Sequence, residues 1–238
     1  MNNISRRTFL KFATGAISAP HALPSWPKTA EVPTLLDHVL LGCNDLDRGI
    51  AFVEEHTRVR AAFGGVHPGR GTQNALLSLG ERRYLEIIAP DPKQAGVEQY
   101  SVITKLAEPR LIGWAAHRDD LGPFAEQLRK QGIEFEGPQA GSRQRPDGKV
   151  LRWRALRLKD DHGGLLPFFI EWSKDSVHPS VDAPKGCTLT HFEAITPETE
   201  DLLHAISLVQ LDLYVAKLDH PSLRASISSP KGQFLISS

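Results

Sequence analysis

The chain has 238 residues, of which 40% are hydrophobic, enough for one sizeable core or two small ones. Lysine plus arginine and aspartate plus glutamate each total 28, so the net charge is zero, which argues against a nucleic-acid partner. With only two cysteines, a disulfide-dense scaffold and a four-cysteine zinc site are excluded.

Residues 1–30 are predicted to be a signal peptide and linker rather than part of the fold. Arg6 and Arg7 precede Phe9 and Leu10, and residues 12–27 contain no Lys, Arg, Asp or Glu. A basic start, a mildly apolar stretch and small residues are typical of a secretory signal. The segment SRRTFLK resembles a twin-arginine export signal, which implies a periplasmic protein. A disordered basic N-terminus is the alternative interpretation.

No later stretch is apolar over the roughly 18 residues that a spanning helix needs, so stable membrane anchoring is not expected. In an oxidising compartment Cys43 and Cys187 could form a disulfide, and two free thiols are the alternative.

A repeat organises the rest of the chain. Asp120 lies 75 positions after Asp45, and each follows an apolar strand and can cap the helix after it. A third copy begins near His191, which lies 153 positions after His38. Strand-like segments follow each helix, of which two are clear in the second unit, and each unit is predicted to be β-α-β-β-β.

The predicted organisation is α+β, with modules at 35–90 and 110–172 and a partial third module at 187–238. The segments 91–96 and 173–186 are the expected linkers, because they are looser and the second contains two prolines.

Two strand-like runs each contain one carboxylate, Glu86 in YLEII and Glu171 in FFIEW. Burying an unpaired carboxylate is costly, so each run predicts a cation or a cationic side chain nearby. For Glu171, Arg152 or Arg154 from the neighbouring strand could be that partner.

Three segments together resemble the glyoxalase-like branch of the vicinal oxygen chelate superfamily: LDHVLLGCNDLD, GGVHPGRGTQNALLSLGERRYLEIIAPDP and LLPFFIEW. The resemblance covers about residues 35–172. It implies two βαβββ modules whose sheets curl together into a cup, usually with a divalent metal inside.

The resemblance implies His38 and Glu86 as metal ligands, since imidazole nitrogen and carboxylate oxygen suit Zn, Mn, Fe or Ni. Glu171 takes the place expected to match Glu86, whereas Gly113 stands where a second histidine would match His38. The candidate metal ligands are therefore His38, Glu86 and Glu171. Glu171 is also the candidate catalytic general base.

Two segments supply candidate substrate contacts. In HPGRGTQN, the flanking glycines could bring Arg70 to an anionic group, although an ordinary hairpin turn is the alternative. In LRWRALRL, an aromatic residue and arginines alternate, as in a cavity wall or an exposed barrel face. The candidate substrate-binding residues are His67, Arg70, Asn74, Arg152, Trp153 and Arg154.

These features favour a metal-dependent lyase, isomerase or dioxygenase that acts on a small substrate with adjacent oxygen atoms. The alternatives are a non-catalytic protein that sequesters a small aromatic or anionic compound on the same fold, or a surface interaction domain. The third module is expected either to cap the edge of the cup or to pair across a homodimer.

Overall fold

The computed structural model describes residues 31–94 and 101–238 of the chain. The predicted signal segment, residues 1–30, lies outside the described residues. Among the helices that are described, none has the length and apolar character needed to cross a bilayer.

The first module begins at Leu36, and its helix starts where the sequence predicts. Its elements are β1 (Leu36–Gly42), α1 (Leu46–Thr57), β2 (Ala62–His67), β3 (Thr72–Ser78) and β4 (Tyr84–Pro90). The Asp45 side chain accepts a hydrogen bond of 2.8 Å from the Arg48 N–H and so caps α1. A short 3₁₀ turn, Pro92–Gln94, follows β4.

The second module repeats this order of elements after one short helix. Its elements are α2 (Ser101–Thr104), β5 (Arg110–His117), α3 (Leu121–Lys130), β6 (Phe135–Gln144), β7 (Val150–Leu158) and β8 (Phe168–Trp172). On α3, Phe124, Ala125 and Leu128 form the buried stripe that helical spacing predicts.

The strands of both modules form one eight-stranded sheet in the order β2-β3-β4-β1-β5-β8-β7-β6. Within each module the first strand pairs in parallel with the last, and the antiparallel pair β1–β5 joins the modules. The sheet curls until its edge strands β2 and β6 contact each other. The predicted cup of two βαβββ modules is therefore confirmed.

The third module has the same order of elements but different strand pairing. The short helix α4 (Pro179–Asp182) precedes it. The module consists of β9 (Thr188–Thr196), α5 (Thr199–Leu208), β10 (Tyr214–Lys217), β11 (Ser222–Ser229) and β12 (Gly232–Ser237). Its separate sheet has the order β10-β9-β11-β12, so the first strand lies in the middle instead of beside the last. The repeat therefore extends to element order but not to sheet topology.

The third module packs on its own chain. Phe192 of β9 contacts Trp114 of β5, with ring centroids 5.2 Å apart, and Phe234 of β12 contacts Phe52 of α1 at 5.7 Å. One apolar core runs through all three modules. These contacts place the small sheet against α1 and β5.

The two cysteines are buried free thiols. Burial raises the pKa of Cys43 to about 11, which keeps that thiol protonated near neutral pH. Of the two alternatives for Cys43 and Cys187, the structure has the free thiols.

Candidate active site

A cavity of about 260 Å³ lies inside the cup, with walls from both modules. Its polar lining includes His38, His67, Arg70, Asn74, Glu86 and Arg143. Its aromatic lining is Tyr84, Trp114, Trp153, Phe168 and Trp172. A concave, largely apolar space with a few convergent polar groups is the usual form of a small-molecule site.

Glu86 is the buried carboxylate of this cavity, with 7% of its surface exposed. Asn74 Nδ2 donates to Glu86 Oε1 over 2.7 Å, and His38 Nε2 lies 3.4 Å from Oε2. Burial alone would raise the pKa of Glu86, but the imidazoles of His67 and His38 and the Asn74 hydrogen bond hold it below its usual value. Glu86 is therefore an ionised acceptor that faces the cavity.

His38 is oriented by its neighbour in sequence, Asp37, which is fully buried. A hydrogen bond of 2.7 Å joins His38 Nδ1 to Asp37 Oδ1, while Trp172 Nε1 and His178 Nε2 donate to Asp37 Oδ2. Burial alone would raise the pKa of Asp37, but the hydrogen bonds from His178 and His38 keep it well below its usual value. The hydrogen bond to Asp37 fixes the imidazole ring of His38 so that Nε2 faces Oε2 of Glu86.

Asn74 connects Glu86 to a buried guanidinium. Arg143 Nη1 donates to Asn74 Oδ1 over 2.6 Å. In turn, Asn74 Nδ2 donates to Glu86 Oε1. This orientation of the amide is fixed, since arginine only donates and an ionised carboxylate only accepts. His67 completes the group, with Nδ1 2.9 Å from Thr72 Oγ1 and a pKa lowered by burial.

Glu171, predicted as a metal ligand and general base, faces away from this cavity. Its strand neighbours Ile170 and Trp172 line the cavity, so alternation turns Glu171 to the opposite face of β8. There Arg154 Nη2 donates to both oxygens of Glu171, at 2.7 and 2.8 Å, and the Leu121 N–H donates to Oε2 at 2.9 Å. The structure thus shows the pairing with arginine, and Glu171 caps α3.

Strand register explains why the two glutamates are not equivalent. In the first module Leu40 of β1 pairs with Glu86 of β4, and 75 positions later Ala115 of β5 pairs with Phe168 of β8. The counterpart of Glu86 is therefore Phe168, which lies three residues before Glu171. An odd shift along a strand exchanges the two faces of the sheet.

Four of the six candidate substrate-binding residues line the cavity: His67, Arg70, Asn74 and Trp153. Arg152 and Arg154 flank Trp153 and therefore point to the other face of β7, where Arg152 Nη1 lies 3.5 Å from Asp175 Oδ2. The cavity also contains or contacts residues that the sequence did not suggest: Asp37, Tyr84, Arg143, Trp172 and His178.

Among residues 31–94 and 101–238, no three or more His, Cys, Asp and Glu side chains are arranged to hold a metal ion. His38 and Glu86 do come together, but Asn74 occupies Glu86 Oε1 and Glu171 faces elsewhere. These donors therefore do not complete the metal centre that the resemblance implies.

Replacing Glu171 with alanine should cost about 0.5–2 kcal/mol of stability, because the Leu121 N–H at the start of α3 loses its acceptor. The matched control is Asp120→Ala, since Asp120 stands at the N-cap of α3 without a side-chain capping bond. We expect that control to change stability by less than about 0.5 kcal/mol in urea unfolding. A larger loss in Asp120→Ala than in Glu171→Ala would contradict the capping role of Glu171.

A model of the glyoxalase-like domain family matches residues 36–209 of the chain. No curated protein matches the chain in sequence. Among solved structures, a hypothetical protein from Staphylococcus aureus is similar with a TM-score of 0.58 and 18% identity, covering 84% of each chain. Methylmalonyl-CoA epimerase from Mycobacterium tuberculosis has a TM-score of 0.44 and 24% identity, covering 63% of this chain and 93% of that one.

Proposed function

The chain belongs to the glyoxalase-like domain family, and on that premise we propose that it is an enzyme in which Glu86 moves a proton on a small substrate with adjacent oxygen atoms. The observation that supports the proposal is the buried, ionised carboxylate of Glu86, aimed into the cavity and held by Asn74. A buried titratable group in a cleft, with specific partners, is the usual mark of an acid–base residue.

The proposed step breaks a carbon–hydrogen bond next to a carbonyl group. The proton passes to Glu86 Oε2, and the electron pair of the broken bond moves into the carbonyl group to form an enolate. The guanidinium of Arg143, which lines the same cavity, stabilises the negative oxygen. Return of the proton completes an isomerisation, whereas departure of a leaving group from the neighbouring carbon completes a lyase reaction.

His38 and Asp37 assist this step as an acid–base pair behind Glu86. Oε2 of Glu86 lies 3.4 Å from His38 Nε2, close enough for the proton to pass on with a small movement. The ionised Asp37, 2.7 Å from His38 Nδ1, stabilises the imidazolium that this transfer creates. Asp37 is therefore a positioning residue that acts through His38.

Substrate binding is expected to strengthen Glu86 as a base. An anionic substrate beside Arg143 excludes water and offsets positive charge near Glu86, and both effects raise the pKa of Glu86 toward the operating pH.

Proteins of the vicinal oxygen chelate superfamily commonly use divalent metals, and His38 and Glu86 are the donors that this chain would offer. The step proposed above uses protein groups alone, so turnover should survive removal of metal by a chelator. Elemental analysis of the purified protein supplies the check. Stoichiometric Zn, Mn, Fe or Ni that is lost in both His38→Ala and Glu86→Ala would contradict the metal-free step.

Proton NMR in D₂O tests the proposed function. Small 2-hydroxy and 2-oxo acids, ketones and aldehydes are incubated with the protein, and deuterium incorporation next to the carbonyl group is followed. We expect incorporation in at least one compound with wild-type protein and its loss in Glu86→Gln. Compounds that bind without any exchange or turnover would favour the non-catalytic binding protein instead.

We also propose that the protein is exported to the periplasm, on the strength of the Arg6-Arg7 segment. Expression of the full chain in a bacterium with a twin-arginine pathway should give a shortened periplasmic form. The double substitution Arg6→Lys and Arg7→Lys should leave the full-length form in the cytoplasm, with Lys11→Arg as the matched control. Unchanged export of the double variant would contradict this route.

A further inference from the structure

Arg143 is a charged side chain that the fold places in the cavity from a distant strand. It lies on β6, one edge of the eight-stranded sheet, and crosses to β2 at the other edge. The backbone of β2 makes room for it, because a Cβ atom on Gly64 would lie 2.2 Å from Arg143 Nη1. A Cβ atom on Gly65 would meet the Gln144 carbonyl oxygen at 2.5 Å. The closure of the cup and the position of Arg143 therefore depend on each other.

The guanidinium of Arg143 retains hydrogen-bonding capacity. Arg143 is only 3% exposed, and in the described part of the chain the hydrogen bond of its guanidinium goes to Asn74 Oδ1. A guanidinium has five N–H donors in a planar fork, which suits the two oxygens of a carboxylate. Burying such a group is costly unless its donors find acceptors. An anion in the cavity would supply acceptors for the remaining N–H groups of Arg143.

The charges around the cavity favour an anionic ligand as well. Its lining contains three arginines, Arg70, Arg143 and Arg157, and two carboxylates, Glu86 and Asp161. Within the lining the arginines outnumber the carboxylates by one, which favours an anionic ligand over a cationic one.

Much of the remaining lining is aromatic. The indole rings of Trp153 and Trp172 lie 5.6 Å apart at 59°, and the guanidinium of Arg157 lies 4.7 Å above the ring of Phe168. A cavity of about 150 Å³ can hold benzene. At about 260 Å³, this cavity has room for one aromatic ring with a short polar substituent.

We infer that the substrate is a monocyclic aromatic acid, whose carboxylate binds Arg143 and whose ring packs among Trp153, Phe168 and Trp172. The inference rests on the proposed function, since it names the substrate class of the same site. In an aromatic 2-hydroxy acid, the carboxylate and the hydroxyl group on C2 supply the adjacent oxygens. The hydrogen on C2 is the one that Glu86 would remove.

Three probes separate the ring from the carboxylate: mandelate has both, 1-phenylethane-1,2-diol has only the ring, and lactate has only the carboxylate. Binding is measured by calorimetry and by quenching of tryptophan fluorescence, since Trp114, Trp153 and Trp172 line the cavity. We expect mandelate to bind about 10- to 100-fold more tightly than the diol, because of hydrogen bonds to a charged group. Equal affinity for mandelate and the diol would overturn the inference.

Arg143→Gln should lower the affinity for mandelate about 10- to 100-fold and leave the diol unchanged. Binding of the diol shows that the cavity of the variant is intact. Arg143→Lys is a second variant, which keeps the positive charge but loses the planar fork of donors. Its affinity for mandelate should lie between those of the wild type and Arg143→Gln. Arg129→Gln, on the exposed face of α3, is the matched control. Unchanged mandelate affinity in Arg143→Gln and Arg143→Lys would overturn the inference.

These binding measurements need no turnover, so the two proposals can fail separately. If neutral compounds exchange deuterium in a Glu86-dependent way and mandelate does not bind, only the aromatic acid is wrong. If mandelate binds through Arg143 and exchange in other compounds is unaffected by Glu86→Gln, only the role of Glu86 is wrong.

Discussion

Replacing Asp37 with alanine should destabilise the protein by about 3–5 kcal/mol, the usual cost of removing one partner from a buried charged cluster. Asp37 is fully buried, and three donors converge on it: His38 Nδ1 at 2.7 Å, Trp172 Nε1 at 3.0 Å and His178 Nε2 at 3.1 Å. Removal of the carboxylate leaves all three without this acceptor. Urea unfolding followed by tryptophan fluorescence measures the loss.

The matched control is Asp182→Ala in α4, which removes a carboxylate that pairs with Arg145 near the surface. A pair of this kind contributes about 0–1 kcal/mol. Equal losses of unfolding free energy in Asp37→Ala and Asp182→Ala would contradict a larger contribution of the buried cluster to stability.

The same residue should make stability depend on pH. The pKa of Asp37 is lower in the folded protein than in the unfolded chain, so its stabilisation is complete above the unfolded value of about 3.9. That contribution is lost as the pH falls from there through the folded value. The stability difference between wild type and Asp37→Asn should therefore be constant from about pH 5 to 7 and shrink below about pH 4.

Replacing Glu86 with glutamine should lower turnover about 10²- to 10⁴-fold, the usual contribution of a general base. The fold should tolerate the change, because glutamine has nearly the size and shape of glutamate and its side-chain oxygen can accept from Asn74. Steady-state rates together with urea unfolding separate lost chemistry from lost structure. A variant that keeps more than about a tenth of the wild-type rate would contradict the role of Glu86 as base.

Much of the fold could be predicted from local patterns. Asp45, at the end of an apolar strand, caps α1 as predicted, because strand, cap and helical stripe are all encoded by near neighbours in the sequence. The two modules share one sheet through the β1–β5 pair, which gives the cup. The pairing in the third module was not predictable, because it depends on how the small sheet packs against α1 and β5.

The face of β8 on which Glu171 lies could not be predicted from the sequence pattern. YLEII and FFIEW look alike, and alternation alone allows either face to be the buried one. Only the register of β8 against β5 decides which side chains of β8 face the cavity. That register pairs Phe168 with Ala115. That register depends on contacts between strands far apart in sequence.

Arg143 and His178 had no local signal at all. Arg143 lies in a mostly polar strand, and it reaches Asn74 only because the curled sheet brings β6 to β2. His178 lies in the linker before α4 and reaches Asp37 across 141 positions of sequence. Both contacts depend on tertiary structure rather than on any motif.

The most direct measurement of the central claim compares deuterium incorporation into the substrate by Glu86→Gln and Glu171→Gln under the same conditions. Glu86 faces the cavity, whereas Glu171 pairs with Arg154 on the other face of the sheet. We predict that Glu86→Gln loses incorporation by at least about 100-fold, and that Glu171→Gln stays within a few-fold of wild type. Loss of incorporation in Glu171→Gln, with normal incorporation in Glu86→Gln, would contradict the account.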